Sequence, residues 1–177
     1  MVALTHPPRG HDDRPGEGGA ERGAHGELPE SRVTGRARLR LRVRTGGDRR
    51  LSLVVLDLAL EYASQRVQFG QPIAKFQATQ FKLADIATEL EAARWLTYRA
   101  ASLRDAGEPF LKEAAMAKLK ASRLATWAAS EAVQIHGGLG YMLDSPVARF
   151  YCDAKVLEIG EGTNEIQHLV IARALGC

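Results

Sequence analysis

From Leu51 onward, apolar residues recur at intervals of three and four, the spacing of one face of an α-helix. In LSLVVLDLALEYASQRVQFG, Leu56, Leu60, Ala63 and Val67 form such a stripe, and Gly70-Gln71-Pro72 stops it. A second helix is predicted over roughly 76–106, with Leu83, Ile86, Leu90, Ala93 and Leu96 on a broad face and Gly107 at its end. Pro109 is suited to open a third, which runs to about Ile135 with Phe110, Ala114, Met116, Leu119, Leu124 and Ala128 inward. Alanines crowd this helix (Ala114, Ala115, Ala117, Ala121, Ala125) and let neighbouring helices come close. Gly137-Gly138-Leu139-Gly140 breaks it, and two shorter helices follow at about 146–157 and 164–175. Long helices with short connections predict an all-α, up-and-down four-helix bundle with a short extra C-terminal helix. Trp95, Trp127 and Cys152 are expected to pack within it, and His168 to lie on its surface.

Residues 1–50 are of another kind. They are rich in Arg, Gly and Pro, contain no Phe, Tyr or Trp, and show no sustained period. Such a segment buries too little apolar surface to offset its ordering entropy, so a disordered N-terminal tail is predicted. Eleven Arg without one Lys also fit a GC-rich gene translated in the wrong frame, and both readings stand. Only Arg38–Arg44 (RLRLRVR) alternates, which predicts at most a short strand.

The charge divides the same way. The tail holds seven acidic residues against its eleven Arg, whereas residues 51–177 hold thirteen Lys and Arg against fourteen acids. The net charge of +3 therefore belongs to the tail, and the helical part has no bias toward nucleic acid. No stretch approaches the roughly 18 consecutive apolar residues of a membrane span. The first residues lack the apolar core of a secretory signal, and their acids argue against an organellar transit peptide. Two cysteines, Cys152 and Cys177, form neither a disulfide framework nor a metal set, which suits a reducing, cytoplasmic setting.

The candidate chemistry lies in AKVLEIGEGTNEIQHLVIAR, residues 154–173. Glu161 stands between two glycines just before a helix N-terminus. Glycines let the backbone turn sharply and let a ligand approach the main chain. A carboxylate is also favoured at a helix N-terminus, so on the residues alone Glu161 reads as a helix cap.

This stretch resembles the end of the acyl-CoA dehydrogenases, through Asp153-Ala154-Lys155, Glu161-Gly162-Thr163 and Glu165-Ile166-Gln167. The resemblance extends back through YASQRVQFGQPIAKFQ (62–77) and AVQIHGGLGY (132–141), and covers essentially residues 52–176. It implies FAD as cofactor and an acyl-CoA thioester as substrate, oxidised to trans-2-enoyl-CoA. Glu161 falls where most of the family, including its short- and medium-chain members, carries the base that removes the α proton. Arg66, Gln68 and Phe69 match residues that meet the pyrophosphate and adenosine end of FAD on a neighbouring subunit, although relatives often carry a small hydroxyl residue at Gln68. Gln77, Gln134, Gly137 and Gly138 match further contacts to that nucleotide. Thr163 and Glu165 match residues that hold the flavin nucleotide, and Gly162 matches a main-chain contact to substrate. His136 occupies a family position usually aromatic or aliphatic, and a packed histidine is expected.

The resemblance also implies an N-terminal helical domain and a β-domain, and residues 1–50 match neither. The expectation is therefore a C-terminal fragment of a homo-oligomeric dehydrogenase, dimer or tetramer, whose complete form passes electrons to an electron-transfer flavoprotein. The alternative is a non-catalytic helical bundle that serves assembly.

Overall fold

The computed structural model describes residues 34–177, with side chains from Arg49 onward; of the disordered tail expected over residues 1–50, residues 1–33 lie outside the described residues and 34–50 are helical. The first helix, α1, runs Thr34–Gln65. Its last four turns bury Ser52, Val55, Leu56, Ala59 and Ala63, a stripe at helical spacing. The strand predicted at Arg38–Arg44 is corrected, because that segment is part of α1. An isolated alternation has no partner strand to pair with, whereas a helix satisfies its own backbone and propagates from the turns packed below it.

Leu60 and Val67 were expected in the core and both are exposed. Val67 lies beyond the helix, whose last residue is Gln65. Two short strands follow, β1 (Val67–Gln68) and β2 (Gln71–Pro72), paired antiparallel with Val67 opposite Pro72. Phe69 and Gly70 make the turn, with φ of 51° and 79°. Two central residues at positive φ are what a two-residue type I′ hairpin requires. The Ile73 N–H donates to the Arg66 carbonyl at 2.8 Å, closing the ribbon, and a single 3-10 turn (Ile73–Lys75) leads onward.

Helix α2 (Gln77–Asp105) buries Leu83, Ile86, Leu90, Ala93 and Ala100. Helix α3 (Leu111–His136) follows a short connection and is the centre of the fold, packing on α1, α2 and two later helices. Small residues make that possible: Ala117, Ala121, Ala125, Ala128, Ala129 and Ala132 are all at most 1% exposed, so neighbours approach from several sides. Gly137 ends α3 at φ 60°, ψ −139°, a conformation for which glycine is suited. A single turn, α4 (Gly138–Tyr141), precedes α5 (Pro146–Ile159), which starts with proline at its first position. The last helix, α6 (Asn164–Ala174), lies against α3.

The all-α bundle is thus as predicted, with the ends of α2, α3, α5 and α6 within a few residues, whereas α1, expected from about Leu51, already begins at Thr34. Three packing expectations fail. Trp95 is 64% exposed, Trp127 reaches the surface, and Cys152 is an exposed free thiol. Trp95 meets only a T-shaped neighbour in Tyr98 among the aromatic rings described. Among the described residues no helix is long and apolar enough to cross a membrane.

Candidate active site

The loop between α5 and α6 carries the proposed base. Glu161 is exposed and sits at φ 58°, a left-handed conformation uncommon outside glycine. Gly162 follows at φ 92°, and its carbonyl accepts a 3.1 Å hydrogen bond from Gln167 Nε2. Thr163 is the N-cap of α6, its Oγ1 accepting from the Ile166 N–H at 3.4 Å. The structure therefore gives the capping role to Thr163, two residues past Glu161. Glu165 follows in the first turn, and the Thr163 hydroxyl beside it holds its carboxyl below the usual range, helped by its own backbone N–H.

Beneath this loop lies a polar cluster that the sequence reading missed. Lys118, only 4% exposed, extends from α3 and donates to Asn164 Oδ1 at 3.0 Å and to the Glu158 carbonyl at 3.4 Å. Ser122 Oγ donates to the same Asn164 oxygen at 2.8 Å. Lys118 and Ser122 are four apart, on the face that also buries Ala114, Ala121 and Ala125. A lysine and a serine interrupting that alanine face were the available signal.

The residues matched to the FAD nucleotide gather at the other end of α3. Arg66, Gln68 and Phe69 belong to the hairpin region after α1, Gln77 opens α2, Gln134 lies in the last turn of α3, and Gly137 and Gly138 follow it. His136 ties these pieces together, its ring stacked on Tyr62 with centroids 4.2 Å apart and Nδ1 donating to the Ala132 carbonyl at 2.8 Å. Packed histidine was the expectation, and it holds. Phe69 is 93% exposed at the hairpin tip, with its ring edge-on to Phe76. A Cβ added at Gly137 or Gly138 would meet nothing within 4 Å, so the main chain there is open to approach. An exposed guanidinium at Arg66 and open glycine backbone at Gly137 and Gly138 are groups that suit a diphosphate, and these residues fit the nucleotide part of FAD. The two groups lie at different levels of α3. Ser122 and Gly137 are separated by about 20 Å along α3, from the rise per residue of a helix.

Comparisons with known proteins identify the family. The family model described as acyl-CoA dehydrogenase, C-terminal domain, matches residues 36–176. A probable acyl-CoA dehydrogenase of Bacillus subtilis is 58% identical over 125 residues, 71% of this chain and 33% of that protein. The human mitochondrial short-chain specific acyl-CoA dehydrogenase is 55% identical over 122 residues, 69% of this chain and 30% of that protein. Among solved structures, butyryl-CoA dehydrogenase from Megasphaera elsdenii superposes with a TM-score of 0.75 at 46% identity, over 77% of this chain and 36% of the other. The chain thus spans about a third of the length of the curated relatives it matches. It belongs to the acyl-CoA dehydrogenase family, of which it carries the C-terminal helical domain.

Proposed function

We propose that this chain is the C-terminal part of a flavin-dependent acyl-CoA dehydrogenase that converts acyl-CoA thioesters to trans-2-enoyl-CoA, with Glu161 as its base. The observation that carries the reading is the loop itself: Glu161 is held in a left-handed backbone conformation beside Gly162, while Thr163 does the capping. A carboxylate presented on a strained backbone between two glycines suits removal of an α proton. FAD, when bound, would supply the hydride acceptor for the β carbon. Arg66, Gln68, Phe69, Gln77, Gln134, Gly137 and Gly138 would hold its nucleotide end. Thr163 and Glu165 would hold the flavin nucleotide on the Glu161 side, and the Gly162 main chain would meet the thioester.

The separation of roughly 20 Å between the two groups along α3 favours an oligomer, with each chain contributing to two different cofactor sites. Exposed apolar side chains support assembly. Phe81 and Trp95 on α2 are more than 60% exposed, and a groove of about 350 Å³ lined by Met116, Leu119, Trp127 and Ile171 opens between α3 and α6. Glu161 is exposed in this chain, so the dry surroundings that tune a base would come from the parts its relatives have in addition. Electron-transfer flavoprotein is the proposed electron acceptor, and one of the similar solved structures is named for such a flavoprotein from Acidaminococcus fermentans. Free, exposed Cys152 and Cys177 are in keeping with a reducing, cytoplasmic setting.

The test is anaerobic addition of butyryl-CoA to the complete gene product purified with FAD. Bleaching of the flavin absorbance with formation of the enoyl-CoA supports the reading. A product that binds FAD and is not reduced by any acyl-CoA leaves the helical assembly module as the better account.

A further inference from the structure

We infer that Lys118 is a positioning residue for Glu161, acting through the buried cluster it forms with Ser122 and Asn164; this rests on the reading of Glu161 as the base. One ammonium group holds both ends of the base-bearing loop. On the near side it donates to the carbonyl of Glu158 in the last turn of α5, and on the far side to Oδ1 of Asn164, the first residue of α6. Only Ile159 to Thr163 lie between these two anchors. Ser122 fixes the same Asn164 oxygen from the next turn of α3, and Gln167 pins the Gly162 carbonyl from above.

Burying an ammonium is costly, and an apolar side chain of similar size commonly serves stability as well or better. The cation here meets the partly negative C-terminal end of α5, which offsets part of that cost. What the arrangement adds is orientation. Glu161 sits at φ 58°, and an L-residue keeps such a backbone only where its surroundings over-determine it. The clamp from Lys118, Ser122 and Gln167 supplies that determination. It acts on the loop from the α3 side, leaving the outer side of the loop to substrate.

The experiment compares variants of the complete, FAD-loaded gene product, with kcat per bound flavin, KM for butyryl-CoA, and exchange of the substrate's α proton with deuterated solvent. Lys118→Met is expected to lower kcat and the exchange rate together by about ten- to a hundred-fold, because a small misplacement of a base costs that much, with KM nearly unchanged. Ser122→Ala, a smaller change that keeps the fold accessible if Lys118→Met does not purify, should lower both rates by about three- to ten-fold, from loss of one hydrogen bond. If Lys118→Met or Ser122→Ala lowers only the unfolding midpoint or flavin content, with kcat per flavin and α-proton exchange at wild-type levels, the positioning role is overturned. That failure differs from failure of the underlying reading, which shows as full turnover in Glu161→Gln whatever residue 118 is.

Discussion

The rings of Tyr62 and His136 stack 4.2 Å apart at an interplanar angle of 20°, joining the last turn of α1 to the last residue of α3. This contact couples the hairpin that carries Phe69 to the turn that carries Gly137 and Gly138. An aromatic pair of this kind contributes about 1 kcal/mol beyond burial of its area. Tyr62→Leu is therefore expected to lower unfolding stability by about 1 kcal/mol, read from the denaturant midpoint, and to loosen FAD retention. Unchanged stability together with unchanged FAD retention would separate the stack from the nucleotide end.

Thr163→Ala removes the side-chain oxygen that accepts from the Ile166 N–H. Loss of such a cap costs about 1 kcal/mol, and Thr163→Ser should recover most of it. Chemical denaturation of the three proteins side by side checks the order.

Gly162→Ala meets two obstacles. Its φ is 92°, and the new Cβ would stand 2.9 Å from Gln167 Nε2, forcing that side chain off the Gly162 carbonyl. A destabilisation of about 1–3 kcal/mol is expected from the backbone conformation. Turnover should fall by more than the stability loss explains, since the loop that holds Glu161 shifts; equal turnover per folded molecule would argue against a tightly set loop.

Acid should weaken the α5 end through Glu158. Partial burial pushes its carboxyl upward, but hydrogen bonds from Lys155 and Thr126, with the charges of Lys155 and Arg123, outweigh this and leave it below its ordinary value. A depressed folded value means the stabilisation is complete above the unfolded value of about 4.3 and is lost as pH falls through the folded one. Lys155 is shifted the other way, upward, by its hydrogen bond to Glu158. Its contribution is complete below about pH 10.4 and is lost as pH rises through the folded value. Thermal midpoints of wild type and Glu158→Gln, taken from pH 7 down to 3, should converge at the acid end.

Much of this was legible in the chain. Helical spacing gave α2, α3, α5 and α6 nearly to the residue, because each has one apolar face and a glycine or proline at an end. The positions of Glu161 and Thr163 before α6 were legible for the same reason. Val67 was not, since a hairpin turn with Phe69 at positive φ leaves no helical signal to contradict. Lys118 was not, since a lysine in a helix reads as solvated until the neighbouring loop that buries it is known. Trp95, Trp127 and Cys152 were misread because large apolar residues suggest packing, whereas the described chain offers them surface rather than core. The alternation at Arg38–Arg44 failed because local pattern alone does not supply a partner strand.

The most direct test of the central claim is Glu161→Gln in the complete, FAD-loaded gene product, mixed with butyryl-CoA in a stopped-flow instrument without oxygen. The amide keeps the size of the side chain and cannot take the α proton. Flavin bleaching is expected to slow by at least about a hundred-fold, the scale of a lost general base, while the resting flavin spectrum and content stay as in wild type. Bleaching at the wild-type rate would mean that another group removes the proton, and that Glu161 is not the base.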